Sequence, residues 1–98
     1  MNKDQVIARL REHQSELNAA GIVKLSVFGS VARGDNTPES DVDLLADFDK
    51  SKRHTLLSIG RLESYLADLL GVKVDLSSPD WLKEPVKAQA LREAVNAF

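Results

Sequence analysis

Asp41 and Asp43 flank Val42 at the head of an apolar run that continues Leu44-Leu45. Side chains two apart on a strand share a face, so these two carboxylates are expected to project together. A few ångströms apart they repel by ~1 kcal/mol in water and several-fold more where water is scarce. Something must offset that repulsion. A shared proton and a divalent cation are the two common answers, and oxygen-only ligands favour magnesium or manganese. Asp75 sits inside a second apolar segment, Val72-Lys73-Val74-Asp75-Leu76. If that segment neighbours the first, the three acids form one cluster. Three carboxylates on adjacent strands could hold two metal ions that clamp the attacking and leaving oxygens of an in-line displacement. That is the chemistry of phosphoryl or nucleotidyl transfer.

Gly29-Ser30 supplies the complementary half. The apolar, β-branched stretch Ile22 to Phe28 ends there, and one helical turn over Ser30–Arg33, closed by Gly34, can follow. Backbone N–H groups at such a helix start face whatever lies in front of them and attract phosphates. Glycine lets a phosphate approach the backbone, and Ser30 adds a hydroxyl donor. Arg33, one turn on, could stabilise charge on the same phosphates. An ion pair with the nearby Asp35 accounts for Arg33 equally well. The connection from Gly29 to Asp41 is long, and long ordered loops in small domains tend to be functional.

These residues need a scaffold. Val6, Ile7, Leu10, Leu17 and Ala20 recur at helical spacing, with Asn2 as N-cap, Gln5 three positions on and Gly21 as the stop, which predicts one helix over the first twenty residues. Strands are expected over 22–28, 42–48 and 72–76. Leu56, Ile59, Leu62, Leu66, Leu69 and Leu70 predict a helix closed by Gly71. Pro85 suits the first turn of a last helix burying Val86, Ala90, Leu91, Ala94, Val95 and Phe98. The expected class is therefore α/β (α+β), a single small mixed β-sheet of about three strands flanked by helices in the order α-β-α-β-α-β-α.

Composition narrows the partners. At 98 residues with 43% hydrophobic and 29% charged residues, the chain reads as one globular domain, 1–98, with room for one core and no separate acceptor domain. A large acceptor would come from another chain. A net charge of −2 argues against nucleic acid as a direct ligand, because a nucleic-acid binder needs a basic face to replace counterions. Cysteine is absent, which removes disulfides and thiolate metal sites. The charged N-terminus and the lack of a long apolar run make a cytoplasmic protein without a membrane span the expectation.

The stretch GSVARGDNTPESDVDLL resembles the signature of the DNA polymerase β-type nucleotidyltransferase superfamily, a GS followed by DxD and a later third acid. More closely, it resembles the minimal nucleotidyltransferases of prokaryotes, from Ile22 through Leu91-Arg92-Glu93-Ala94-Val95. The resemblance implies that Asp41 and Asp43 are paired metal ligands and that Asp75 is the third carboxylate, a base or orienter for the acceptor hydroxyl. It implies that Gly29 and Ser30 hold the nucleotide phosphates, with ATP as substrate and Mg2+, or Mn2+, as cofactor. It also implies a HEPN-domain partner in a two-gene toxin–antitoxin module, the transferase acting as antitoxin by moving AMP to a tyrosine of the HEPN protein. Two other classes are carried beside this one: an antitoxin acting by contact alone, and a small-molecule transferase.

The remaining polar and aromatic residues read more plainly. Asp47 and Asp49 mark the solvated end of the second strand, followed by the basic loop Lys50-Ser51-Lys52-Arg53. His13 and His54, without close partners, are expected at the surface. Tyr65 is expected at the core edge and Trp81 beneath the last helix.

Overall fold

The structure, a computed structural model, describes all 98 residues. Helix α1 spans Lys3–Glu12, α2 Gln14–Ala19 and α3 Gly29–Arg33, while α4 covers Leu56–Leu70 and α5 Val86–Glu93. Strands β1 (Ile22–Phe28), β2 (Val42–Phe48), β3 (Val74–Ser77) and β4 (Val95–Asn96) form one sheet in the order β3-β2-β1-β4. β1 runs antiparallel to β2 and β4, and β2 runs parallel to β3. The mixed sheet flanked by helices is the architecture expected from the alternation of helical and extended patterns.

Local chemistry sets most boundaries. Asn2 and Gln5 exchange side-chain and backbone hydrogen bonds at 2.9 and 3.0 Å, a capping box that starts α1. Thr55 and Ser58 make the same reciprocal pair at the start of α4, and Gly71 ends that helix in the left-handed conformation. The first twenty residues, however, do not form one helix. The chain departs from helical geometry at His13 (φ −111°, ψ 18°) and restarts as α2. The buried stripe steps by two full turns from Leu10 to Leu17, so its spacing is blind to an interruption between them.

The core lies on one face of the sheet. Val42, Leu44 and Ala46 of β2 point into it, with Leu25 and Val27 of β1, Val74 and Leu76 of β3, and Val6, Leu10, Leu17, Leu66 and Leu70 from the helices. The opposite face carries Asp43, Leu45, Asp47 and Asp75. It is covered only in part, by α5 and Pro79, which close over Leu45.

The C-terminal segment departs furthest from expectation. α5 buries Ala90, whereas Val86 and Leu91 are 56% and 50% exposed. Ala94 leaves the helix (φ −61°, ψ 131°), and β4 pairs Val95 with Val27 and Asn96 with Ser26. The sheet thus has four strands. The free edge of β1 offers unpaired backbone groups, and β4 satisfies them; Ala97 N–H also donates to Leu25 O at 2.8 Å. A strand of two residues is too short to show a period of two.

Trp81 is not beneath the last helix. It is 51% exposed, and its ring stacks on Phe48 at 5.5 Å with an 18° interplanar angle. His54 is half-buried against the same Phe48, 4.9 Å between ring centroids, with Nε2 3.2 Å from Asp49 O. His13 is also half-buried, its Nδ1 3.5 Å from Glu16. Both histidines thus differ from the expected surface placement. Tyr65, 38% exposed at the rim, donates a hydrogen bond to Glu16 and so ties α4 to α2.

Candidate active site

β2 and β3 are in a register that sets Asp43 beside Asp75, with Val42 beside Val74 and Leu44 beside Leu76. Neighbouring strands lie about 4.8 Å apart, so paired positions on one face bring their side chains together. The supposition that the third strand adjoins the second thus holds. Asp41, just before β2, shares the parity of Asp43. Asp41 and Asp75 are exposed, while Asp43 between them is half-buried.

Burial is the first cause that pushes the Asp43 carboxyl above its ordinary range, followed by the negative charges of Asp75 and then Asp41. Arg33 works in the opposite sense. Asp43 therefore senses the charge of both other acids. Asp41 has one cation near it, the Lys73 Nζ at 4.0 Å, itself highly exposed.

On the other side of β2, Phe28 pairs with Asp43, so the chain turns at Gly29 directly against that carboxylate. Gly29 has φ +74°, and a Cβ there would stand 2.2 Å from Asp43 Oδ2. The glycine is required here by Asp43 itself, in addition to any phosphate. α3 begins at this turn and ends at Gly34, whose φ of +81° closes it in the left-handed conformation. Gly29, Ser30, Arg33 and Asp43 line one open cleft of about 290 Å³, together with Phe28 and four residues of α5.

Arg33 points along this cleft from the last position of α3. Its Nε donates to Asp35 Oδ2 at 3.1 Å and its Nη1 to Glu93 Oε2 at 2.8 Å. The Asp35 pair was legible in the sequence. Glu93 was not, because it comes from α5, sixty positions along the chain. These bonds, that to Glu93 first, raise the Arg33 pKa above its ordinary value. The same ion pair holds the Glu93 carboxyl below its usual range.

Whether a metal fits depends on these donors. No three of the chain's His, Asp or Glu side chains are grouped closely enough to hold a metal ion unaided. Carboxylate oxygens alone suit a hard cation, and the mutual repulsion around Asp43 would be relieved by one. Magnesium is usually bound by one or two carboxylates plus substrate phosphates rather than by an all-protein cage. The acids fit that kind of site.

The chain has clear relatives. Residues 5–97 match the family model described as a nucleotidyltransferase domain. The protein adenylyltransferase MntA of Thermococcus cleftensis is 39% identical over 93 residues, covering 94% of this chain and 92% of that one. A solved structure assigned as a minimal nucleotidyltransferase is 41% identical, with a TM-score of 0.80 over 97% of this chain and 95% of that one. The fold also recurs in a solved complex of a tri-AMPylated Shewanella oneidensis HEPN toxin with an MNT antitoxin. There the identity is 18% and the TM-score 0.62, over 99% of this chain and 69% of that one. With the paired acids, the third acid at their side and the Gly-Ser turn against them, the chain belongs to the minimal nucleotidyltransferases.

Proposed function

We propose that residues 1–98 act as one domain that transfers AMP from ATP to a tyrosine hydroxyl of a HEPN-domain protein, with Mg2+ as cofactor, and so serve as its antitoxin. The observation that carries this reading is the pairing of Asp43 with Asp75 across β2 and β3, directly beside the Gly29–Ser30 turn. Support for a protein acceptor comes from the Thermococcus relative, named a protein adenylyltransferase, and from the AMPylated toxin in the Shewanella complex. No helix here is long and apolar enough to cross a membrane, and a cytoplasmic setting accords with the proposal.

In this reading Asp41 and Asp43 hold the cation, which would neutralise charge on the phosphates and the leaving group. The exposed Asp75 faces the side from which an acceptor arrives and takes the proton of its hydroxyl. The acceptor oxygen forms a bond to the α-phosphorus, the bond from that phosphorus to the bridging oxygen breaks, and pyrophosphate leaves. Gly29 and Ser30 hold the phosphates through backbone N–H groups and the Ser30 hydroxyl, and Arg33 adds positive charge beside them.

The test is the intact mass of the co-expressed HEPN partner after incubation with this protein, ATP and magnesium. A gain of AMP units is expected, and its disappearance with Asp41→Ala or Asp43→Ala in a folded domain. Transfer retained by Asp41→Ala would overturn the assignment of the acids. Neutralisation of the toxin without any mass gain would replace transfer by binding.

A further inference from the structure

Two carboxylates line the cleft beside the Gly29–Ser30 turn, Asp43 and Glu93, and the second is the less expected. Glu93 reaches in from the last turn of α5, with its side chain only 17% exposed. It adds negative charge near Asp43, whose carboxyl it pushes further above the ordinary range. In a cleft read as the seat of a triphosphate, an extra anion works against binding unless it has another task. Its bond at 2.8 Å to Arg33 Nη1 identifies that task.

We infer that Glu93 is a positioning residue that holds Arg33 over the Gly29–Ser30 turn, ready for the nucleotide phosphates; the inference rests on the nucleotide reading above. Arg33 is the terminal residue of a five-residue helix, and its side chain is 44% exposed. Unrestrained, an arginine has a large rotamer entropy that a ligand must overcome on binding. One bond to Asp35 fixes the Nε edge, but Asp35 lies two residues away on the same turn and is itself 60% exposed. The second bond comes from a different element. With Nε and Nη1 both held, the plane of the guanidinium is set and Nη2 remains for a phosphate oxygen. A group fixed before the ligand arrives costs less to order afterwards. Glu93, Arg33 and the Gly29–Ser30 turn line the same cleft.

The alternative is that the Glu93 carboxylate stands where a phosphate would and competes with it. The two roles have opposite signs. Affinity for ATP with magnesium is measured by calorimetry on the full chain, and KM and kcat by AMP transfer to the HEPN partner. The set is wild type, Glu93→Ala, Glu93→Gln, Arg33→Ala and the double variant of Arg33→Ala with Glu93→Ala. Positioning predicts that Glu93→Ala weakens ATP binding roughly three- to tenfold, with KM rising in step and kcat nearly held. Glu93→Gln keeps an acceptor oxygen for Nη1 and recovers most of the loss. In the Arg33→Ala background, Glu93→Ala has no further effect.

Tighter ATP binding by Glu93→Ala overturns the inference in favour of competition. Unchanged binding overturns it as well. An equal loss with and without Arg33 shows that Glu93 acts through the fold, which Glu93→Gln and thermal melts of each variant check independently. Wild-type protein that binds no ATP, with Arg33→Ala equally silent, overturns the nucleotide reading and this one together. Normal wild-type binding with an indifferent Glu93 overturns this one alone.

Discussion

The two faces of β2 carry opposite kinds of order. On one, Val42, Leu44 and Ala46 are 2%, 0% and 0% exposed and belong to a core shared by four helices and both neighbouring strands. On the other, Asp43 is half-buried and raised in pKa by burial, Asp75 and Asp41. From Val42 to Leu44 the strand thus passes from dense apolar contact through a carboxylate whose repulsion Arg33 offsets only in part, and back. The first face has many partners for every atom. The second has its partners missing in part, and the arrangement is stable only because the first face outweighs it. A site that must receive a charged ligand is held by the scaffold behind it rather than by its own contacts.

Truncation of the packed face gives the largest effect. Leu44→Ala removes a fully buried side chain from the centre of the sheet and leaves a cavity, for a loss of about 2–5 kcal/mol in stability. Urea denaturation measures it, and a loss below 1 kcal/mol would mean that the core can collapse around the gap. Gly29→Ala strikes the seam between the two faces. The left-handed backbone of Gly29 costs an alanine ~1–2 kcal/mol, and the new Cβ must displace the Asp43 carboxylate. Stability should fall by about that amount, while AMP transfer falls out of proportion to it. Transfer that survived in a folded Gly29→Ala protein would show that the position of Asp43 is not critical.

The acid face was legible in the sequence because its signal is local. Asp41 and Asp43 are two apart, Gly29-Ser30 closes one apolar strand, and Asp75 interrupts another; period-two geometry then implies the cluster once the strands adjoin. The capping pair Asn2–Gln5 and the Gly34 and Gly71 stops were readable for the same reason. What stayed hidden depends on distant partners. Glu93 meets Arg33 only because α5 packs on α3, and β4 exists because the edge of β1 needs pairing. The interruption at His13 falls between Leu10 and Leu17, where the apolar pattern places no residue to record it. Trp81 finds Phe48 across the end of the sheet, a contact that neither segment announces.

Removal of charge from the open face gives the smallest effect on stability and the sharpest contrast. The Asp43 carboxyl titrates above its ordinary value of 3.8 in the folded protein. A carboxyl raised on folding binds its proton more readily in the folded than in the unfolded state. Its ionised form is therefore a net cost at neutral pH, and the cost disappears as pH falls through the raised value toward 3.8. Asp43→Asn keeps the shape and removes the charge. With chelator present, it should stabilise the domain at pH 7 by less than about 1 kcal/mol, since the group is half-buried and partly screened. The advantage over wild type should shrink as pH is lowered to about 4, because the wild-type carboxyl then protonates as well. AMP transfer should fall by roughly 10²–10⁴-fold in the same variant. Paired denaturation curves at the two pH values decide the matter. If Asp43→Asn is instead less stable at pH 7, the carboxylate is supported by its surroundings and the two faces of β2 differ only in polarity. If it gains stability while losing transfer, the open face is held against its own electrostatics, as a surface awaiting a cationic and nucleotide partner would be.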